Sequence, residues 1–175
     1  DRDYFILSKG HGALALYVVL EKFGILKNKE LNSYSQYKSI LGGHPDVTKV
    51  PGIEASTGSL GHGFPIAAGI AMGLKIQKKR NKVITLIGDG ECHEGTIWET
   101  AHMCNNLNLG NLLAVVDWNG SAEQLLPKDD LVSKWKAFGW KTYLVDGHNE
   151  NSLKKAFRKI DFRINNKPTA IIAKT

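Results

Sequence analysis

A three-layer, doubly wound α/β fold on a parallel sheet is the class this sequence predicts, from three observations. Short, nearly all-apolar runs rich in Val and Ile alternate with longer helical stretches. Strands that are apolar on both faces belong to sheets covered by helices on both sides. Two of the runs end in polar, Gly-containing clusters, Gly88-Asp89-Gly90-Glu91 and Asp117-Trp118-Asn119-Gly120. In open parallel sheets the carboxyl ends of the strands are where ligands sit.

The elements follow in order. Ala13 to Phe23 is predicted helical and closed by Gly24, which tolerates the left-handed backbone of a helix terminus. A second helical stretch is expected from Asn28 to about Lys38, then Gly-, Pro- and Ser-rich loops over 42–63. Phe64 to Lys79 reads as a helix whose Ala67, Ala68, Gly69, Ala71 and Gly73 permit close packing. Lys82–Ile87 is the first expected strand and Glu94 to about Asn106 a helix. Asn111–Asp117 is a second strand, Leu125–Pro127 a loop and Asp129–Phe138 a helix closed by Gly139. Lys141–Val145, Asn149–Arg163 and Thr169–Ala173 complete the pattern as strand, helix and fourth strand. Right-handed crossovers are expected throughout.

Composition narrows the class. The chain has 175 residues, 42% hydrophobic and 23% charged, the balance of one soluble globular domain. Cys92 and Cys104 are too few for a disulfide framework and suit a reducing compartment. The longest apolar run, Phe64 to Ile76, is too short to span a bilayer. No secretory signal opens the sequence, so no membrane association and a cytoplasmic location are expected. The formal charge is +6, but the one basic cluster (Lys75, Lys78, Lys79, Arg80, Lys82) falls where a helix ends and no aromatic residue interleaves with it. It reads as a complement to the helix dipole rather than a nucleic-acid surface.

Asp89 lies between two glycines at one strand end, and Asn119 ends the next strand. If those strands are neighbours, their tips lie about 5 Å apart. A carboxylate, an amide oxygen and a loop carbonyl are hard oxygen ligands. They suit an octahedral Mg²⁺ whose other positions are filled by water and ligand phosphates. The plainer alternative is that Asp89 caps the following helix and Asn119 makes a turn.

The segment 91–117 that separates these residues has the length of one helix and one strand. In this the chain resembles the thiamine-diphosphate enzymes, whose signature is a Gly-Asp-Gly followed at this interval by a strand-ending Asn. Other segments are similar to transketolase motifs, in the right order. They are Asp1-Arg-Asp-Tyr-Phe-Ile-Leu-Ser-Lys-Gly-His11-Gly, Gly43-His44-Pro-Asp46, Pro51-Gly-Ile-Glu54, Ser56-Thr-Gly-Ser-Leu-Gly-His-Gly63 and Gly88-Asp-Gly-Glu-Cys-His-Glu94-Gly-Thr-Ile-Trp-Glu99. The chain looks most like the diphosphate-binding half of the split transketolases, whose halves are separate polypeptides.

That resemblance implies the following. Asp89, Asn119 and the carbonyl of Ser121 would hold Mg²⁺, or Ca²⁺ or Mn²⁺ in its place, on the diphosphate of thiamine diphosphate. Gly90 would offer its N–H and His11 its ring to the diphosphate, while Gly58 and Leu60 would line the aminopyrimidine. His44 would hydrogen-bond sugar hydroxyls, and Glu94 would join a carboxylate network across a subunit interface. The activity implied is transfer of a two-carbon ketol unit from a ketose, usually phosphorylated, to an aldose. A pyrimidine-binding domain is not expected within 1–175, so a partner chain would supply it, giving a dimer or heterotetramer inactive without it. His62, His93, His102 and His148 are read as structural. The third residue after Asn119 is Ala122 where the family usually has Gln, which points to an altered sugar specificity. Competing readings are the E1 component of a 2-oxo acid dehydrogenase, a non-catalytic regulatory paralogue and a basic nucleic-acid-binding domain.

Overall fold

The computed structural model describes residues 2–126 and 129–175. Asp1, which opens the first motif, and Pro127, in the expected 125–127 loop, lie outside the described residues. The strands are β1 (Tyr4–Leu7), β2 (Val83–Gly88), β3 (Leu112–Trp118), β4 (Lys141–Asp146) and β5 (Thr169–Lys174). The helices are α1 (Ala13–Lys22), α2 (Asn28–Leu31), α3 (Gly63–Ile76), α4 (Gly95–Asn106), α5 (Leu131–Ala137) and α6 (Glu150–Arg158). The sheet runs β1-β2-β3-β5-β4, and every pairing is parallel.

All four expected strands are present, and β1 is a fifth. Tyr4–Leu7 is only four residues long and sits at the sheet edge beside β2, so its periodicity is too short to register against the motif that follows it. The second expected helix is one turn, Asn28–Leu31. It stops because the chain turns into left-handed backbone at Ser35 (φ 55°) and Lys38 (φ 65°), with the Ser33 hydroxyl bonded back to the Glu30 carbonyl at 2.8 Å. Side chains that bond their own backbone compete with helix continuation. The expected Asn149–Arg163 helix also ends early, at Arg158.

One face of the sheet carries α3, α4 and α5. Phe64, Ala67, Ala68 and Ala71 of α3 are fully buried beside Val83, Ile87, Ile97, Ala101 and Trp135. The alanines make the close approach, whereas Gly69 and Gly73 face open space. Trp135 anchors the layer, with its ring 4.7 Å from Trp140, 5.5 Å from Trp98 and 5.7 Å from Phe64. On the other face α6 and residues 160–162 cover Leu113, Val145, Ile171 and Ala173. A third cluster ties α1 to the 26–53 loops through Tyr17, Leu20, Leu41 and Val50. The switch of face between α5 and α6 follows from handedness. The chain moves one way across the sheet from β1 to β4 and then reverses to insert β5, so a right-handed crossover puts α6 on the opposite side. The basic cluster begins in the last turn of α3 with Lys75 and continues past the end of the helix, and Lys75 reaches across to donate to the Leu107 carbonyl, just past the end of α4, at 2.6 Å.

Candidate functional site

The site is built at the carboxyl tips of β1, β2 and β3. Gly88 pairs with Asp117 across β2 and β3, and the Asp89 N–H donates to the Asp117 carbonyl at 3.1 Å. The two clusters found in the sequence are therefore on adjacent strand tips. Asp89 then begins a short turn, Gly90–His93. One carboxylate oxygen, Oδ1, accepts from the Gly90 N–H at 2.8 Å and from the Ser121 hydroxyl at 3.4 Å. The other, Oδ2, is buried and, among the described residues, has no hydrogen-bond partner. Across from it, the Asn119 amide oxygen accepts from the Ser121 N–H at 2.9 Å. Ser121 thus touches both residues and closes a triangle with them.

Each half of the plain alternative is present: Asp89 caps its turn and Asn119 makes one. Capping occupies only Oδ1, however. A buried carboxylate oxygen left without a donor is costly unless a cation or an added donor meets it. Among the described residues no cluster of three or more His, Cys, Asp and Glu could hold a metal. The oxygen set at Asp89, Asn119 and Ser121 is instead of the sparse type that Mg²⁺ uses when phosphates and water complete its shell. The residues present fit such an ion.

Behind this triangle lies Glu91, which sequence reasoning did not single out by role. It is 1% exposed. Its Oε1 accepts from the Ser8 hydroxyl at 2.5 Å and from the Gly61 N–H at 2.9 Å, and its Oε2 accepts from the Gly88 N–H at 3.2 Å. One side chain therefore ties the tip of β1, the Gly-rich loop and the tip of β2. The available signal was an acidic residue two places after Asp89 at the same strand end. Its burial follows only from how three distant segments meet.

The 56–63 loop is held equally close. A methyl group at Gly10 would lie 2.7 Å from the Gly58 nitrogen, and one at Gly63 would lie 2.5 Å from the Ser8 Cα. The Thr57 hydroxyl donates to the Leu7 carbonyl at 2.7 Å. Because the clash at Gly10 is with backbone that has no rotamer to change, Gly10→Ala is expected to destabilise the fold by ~1–3 kcal/mol, as overpacking does. A urea unfolding curve with an unshifted midpoint would contradict that close approach.

The His44 ring lies against Gly58, where an added methyl group would meet its Cγ at 3.1 Å. The Tyr17 hydroxyl clamps this loop through the Gly42 and His44 carbonyls at 3.1 and 2.9 Å. Next to it, the Thr48 hydroxyl and N–H, with Lys49, hold the Asp46 carboxyl down to about 2. His11 is exposed on the Gly10–Gly12 turn between β1 and α1. Leu60 is half-buried, and its carbonyl meets His62 Nδ1 at 3.1 Å. Glu94 is exposed at the start of α4, with its stem against Gly61. The Gly90 N–H already points at Asp89.

A cavity of about 610 Å³ lies between α1 and β1–β3. Its walls are mostly apolar, with Phe5, Leu7, Leu16, Val19 and Leu86 among them. Neither Asp89, Asn119, His11 nor His44 lines it. The Lys9–Asp117 pair stands where this groove meets the strand tips.

A parallel α/β sheet with polar, Gly-containing turns on adjoining strand tips defines a class of domain that binds ligands at the carboxyl ends of its strands. The model of the family described as "Transketolase, thiamine diphosphate binding domain" matches residues 1–175, and the chain belongs to that family. It is 40% identical to one of the subunits of an apulose-4-phosphate transketolase from Phocaeicola vulgatus, over 99% of this chain and 63% of that protein. It is 37% identical to a 6-deoxy-6-sulfo-D-fructose transketolase subunit from a Clostridium species, over 100% of this chain and 65% of that protein. The chain thus spans under two thirds of these curated relatives. Among solved structures, the transketolase of Campylobacter jejuni superposes with a TM-score of 0.92 at 30% identity, over 99% of this chain and 29% of that one. A transketolase complex with sedoheptulose-7-phosphate from Pichia stipitis gives 0.90 at 29% identity, over 99% and 28%. The family match favours neither a 2-oxo acid dehydrogenase component nor a nucleic-acid-binding domain. No helix among the described residues is long and apolar enough to cross a membrane.

Proposed function

We propose that residues 1–175 form the diphosphate-binding domain of a transketolase-type glycolaldehyde transferase. The observation that carries this is the buried Oδ2 of Asp89, unpartnered among the described residues, on a carboxylate whose Oδ1 is linked through Ser121 to Asn119 on the next strand tip. Asp89, Asn119 and the Ser121 carbonyl are the groups that would hold Mg²⁺, or Ca²⁺ or Mn²⁺, against a diphosphate. Thiamine diphosphate, when bound, supplies the electron sink for cleaving a carbon–carbon bond next to a carbonyl. Everything else falls to the protein. His11, exposed on its turn, can donate to the diphosphate, and the Gly90 N–H can swing from Asp89 to a phosphate oxygen. Gly58 and Leu60 offer a flat backbone surface for the aminopyrimidine. His44, braced by Gly58 and by the Tyr17 clamp, presents an imidazole that can donate to or accept from sugar hydroxyls near neutral pH.

Glu94 stands exposed at the start of α4, where it can meet a carboxylate from another chain. The two relatives named above are called subunits, which supports a pyrimidine-binding partner chain, a dimer or heterotetramer, and a chain inactive on its own. Ketose donors, usually phosphorylated, and aldose acceptors are the substrates of this reading, in the cytoplasm.

Calorimetry on the assembled complex tests it. Thiamine diphosphate is expected to bind only with a divalent ion present and to raise the melting temperature by mass action. No uptake under those conditions would overturn the reading. His44→Ala should lower kcat/KM for the ketose while leaving the cofactor dissociation constant nearly unchanged. Equal losses in both would remove His44 from the sugar site.

A further inference from the structure

The Asp117 carboxylate has no role in the reading above, yet it takes donors from three residues. It lies near the tip of β3, two residues before Asn119. Its Oδ2 accepts from the ammonium of Lys9, a residue only 9% exposed. Its Oδ1 accepts from the Thr175 hydroxyl at 2.6 Å. Oδ2 also accepts from the Asn119 amide nitrogen at 3.4 Å. A lysine on the β1 tip and a threonine just past β5 therefore fix a carboxylate on β3 from both sides.

What that carboxylate does to Asn119 is decided by donor and acceptor chemistry. An amide has one donating and one accepting end, and only the oxygen can ligate a cation. Asp117 presents acceptors only, so it draws the nitrogen. The Ser121 N–H is a donor only, so it draws the oxygen. Both contacts select the same amide orientation, with the oxygen on the Ser121 and Asp89 side. Without Asp117, one of the two constraints on that orientation is lost.

We infer that Asp117, held by Lys9 and Thr175, is a positioning residue that orients the Asn119 amide oxygen toward a cation. The inference rests on the proposed metal-dependent diphosphate site and names the group that preorganises it. Outer-shell partners of this kind typically change metal affinity by about 10–100-fold when removed.

The test compares two nearly isosteric changes in one background, in the assembled complex with its partner chain. Lys9→Met is common to both, so that no lone ammonium is left buried. To it is added either Asp117→Leu, which has no acceptor, or Asp117→Asn, whose amide oxygen can still accept from Asn119 while its nitrogen donates to Thr175. Mn²⁺ binding is read by loss of the free-ion electron paramagnetic resonance signal at saturating thiamine diphosphate. Thermal melting without metal or cofactor serves as the structural control. The leucine variant is expected to bind Mn²⁺ about 10-fold or more weakly than the asparagine variant, with the latter close to Lys9→Met alone. Equal Mn²⁺ affinity in the two double variants overturns the inference, whatever their melting temperatures. Absence of Mn²⁺ uptake by the unsubstituted complex instead overturns the site itself. Should the leucine variant fail to fold, Asp117→Ser in the same background replaces it, with a hydroxyl too short to reach Asn119. Affinity equal to that of the asparagine variant again overturns the inference.

Discussion

Asp89→Ala is expected to abolish metal-dependent uptake of thiamine diphosphate in the assembled complex. On the proposed reading the change removes a ligand rather than a supporting group, so the loss should exceed the ~10–100-fold typical of outer-shell substitutions. The effect on folding should be small or favourable. Among the described residues Oδ2 is buried without a partner, and removing an unsatisfied buried acceptor relieves a desolvation cost. The cap to Gly90, a contribution of about 1 kcal/mol at most helix starts, and the longer contact from the Ser121 hydroxyl are lost in exchange. Binding and stability should therefore move separately. Calorimetry and a melting curve on the same preparation read both, and a variant that still takes up the cofactor with undiminished affinity removes Asp89 from the metal site.

Glu91→Gln should do the reverse, damaging the scaffold through a single atom exchange. Oε1 and Oε2 together take three donors and give none. A glutamine can keep its oxygen toward Ser8 and Gly61, but its NH₂ then faces the Gly88 N–H, donor against donor. Leaving that buried backbone donor unsatisfied costs about 1–3 kcal/mol. In a chain of this size that lowers the melting temperature by ~2–4 °C per kcal/mol. Because Glu91 joins the β1 tip, the Gly61 loop and the β2 tip, cofactor affinity should fall with stability. A melting temperature equal to that of the unsubstituted chain would show that the three contacts do not hold the loop.

Much of this architecture was legible in the sequence, and the reasons are local. Strands β2, β3 and β5 are apolar on both faces because helices cover both sides of them, and that leaves a pattern visible without partners. Gly24 and Gly139 marked helix ends because both take positive φ there, at 70° and 84°. The Gly-Asp-Gly turn and Asn119 were legible because residue type and spacing together placed them on successive strand tips. β1 was not legible as a strand. Four residues at a sheet edge carry too little periodicity, and the pairing of Tyr4 with Val83 spans most of the first half of the chain. The α2 stretch was overread because its polar side chains bond their own backbone instead of prolonging the helix.

By itself the sequence determined the fold class, the family, and the residue types available at the two strand tips, since these follow from hydrophobic period and short motifs. Only the tertiary structure decided that one Asp89 oxygen is spoken for while the other is buried and unmet among the described residues, that Glu91 joins three segments, and that Lys9 reaches Asp117 across the sheet. Those facts depend on which donors and acceptors arrive from elements far apart in the chain, and no local pattern encodes where such partners meet.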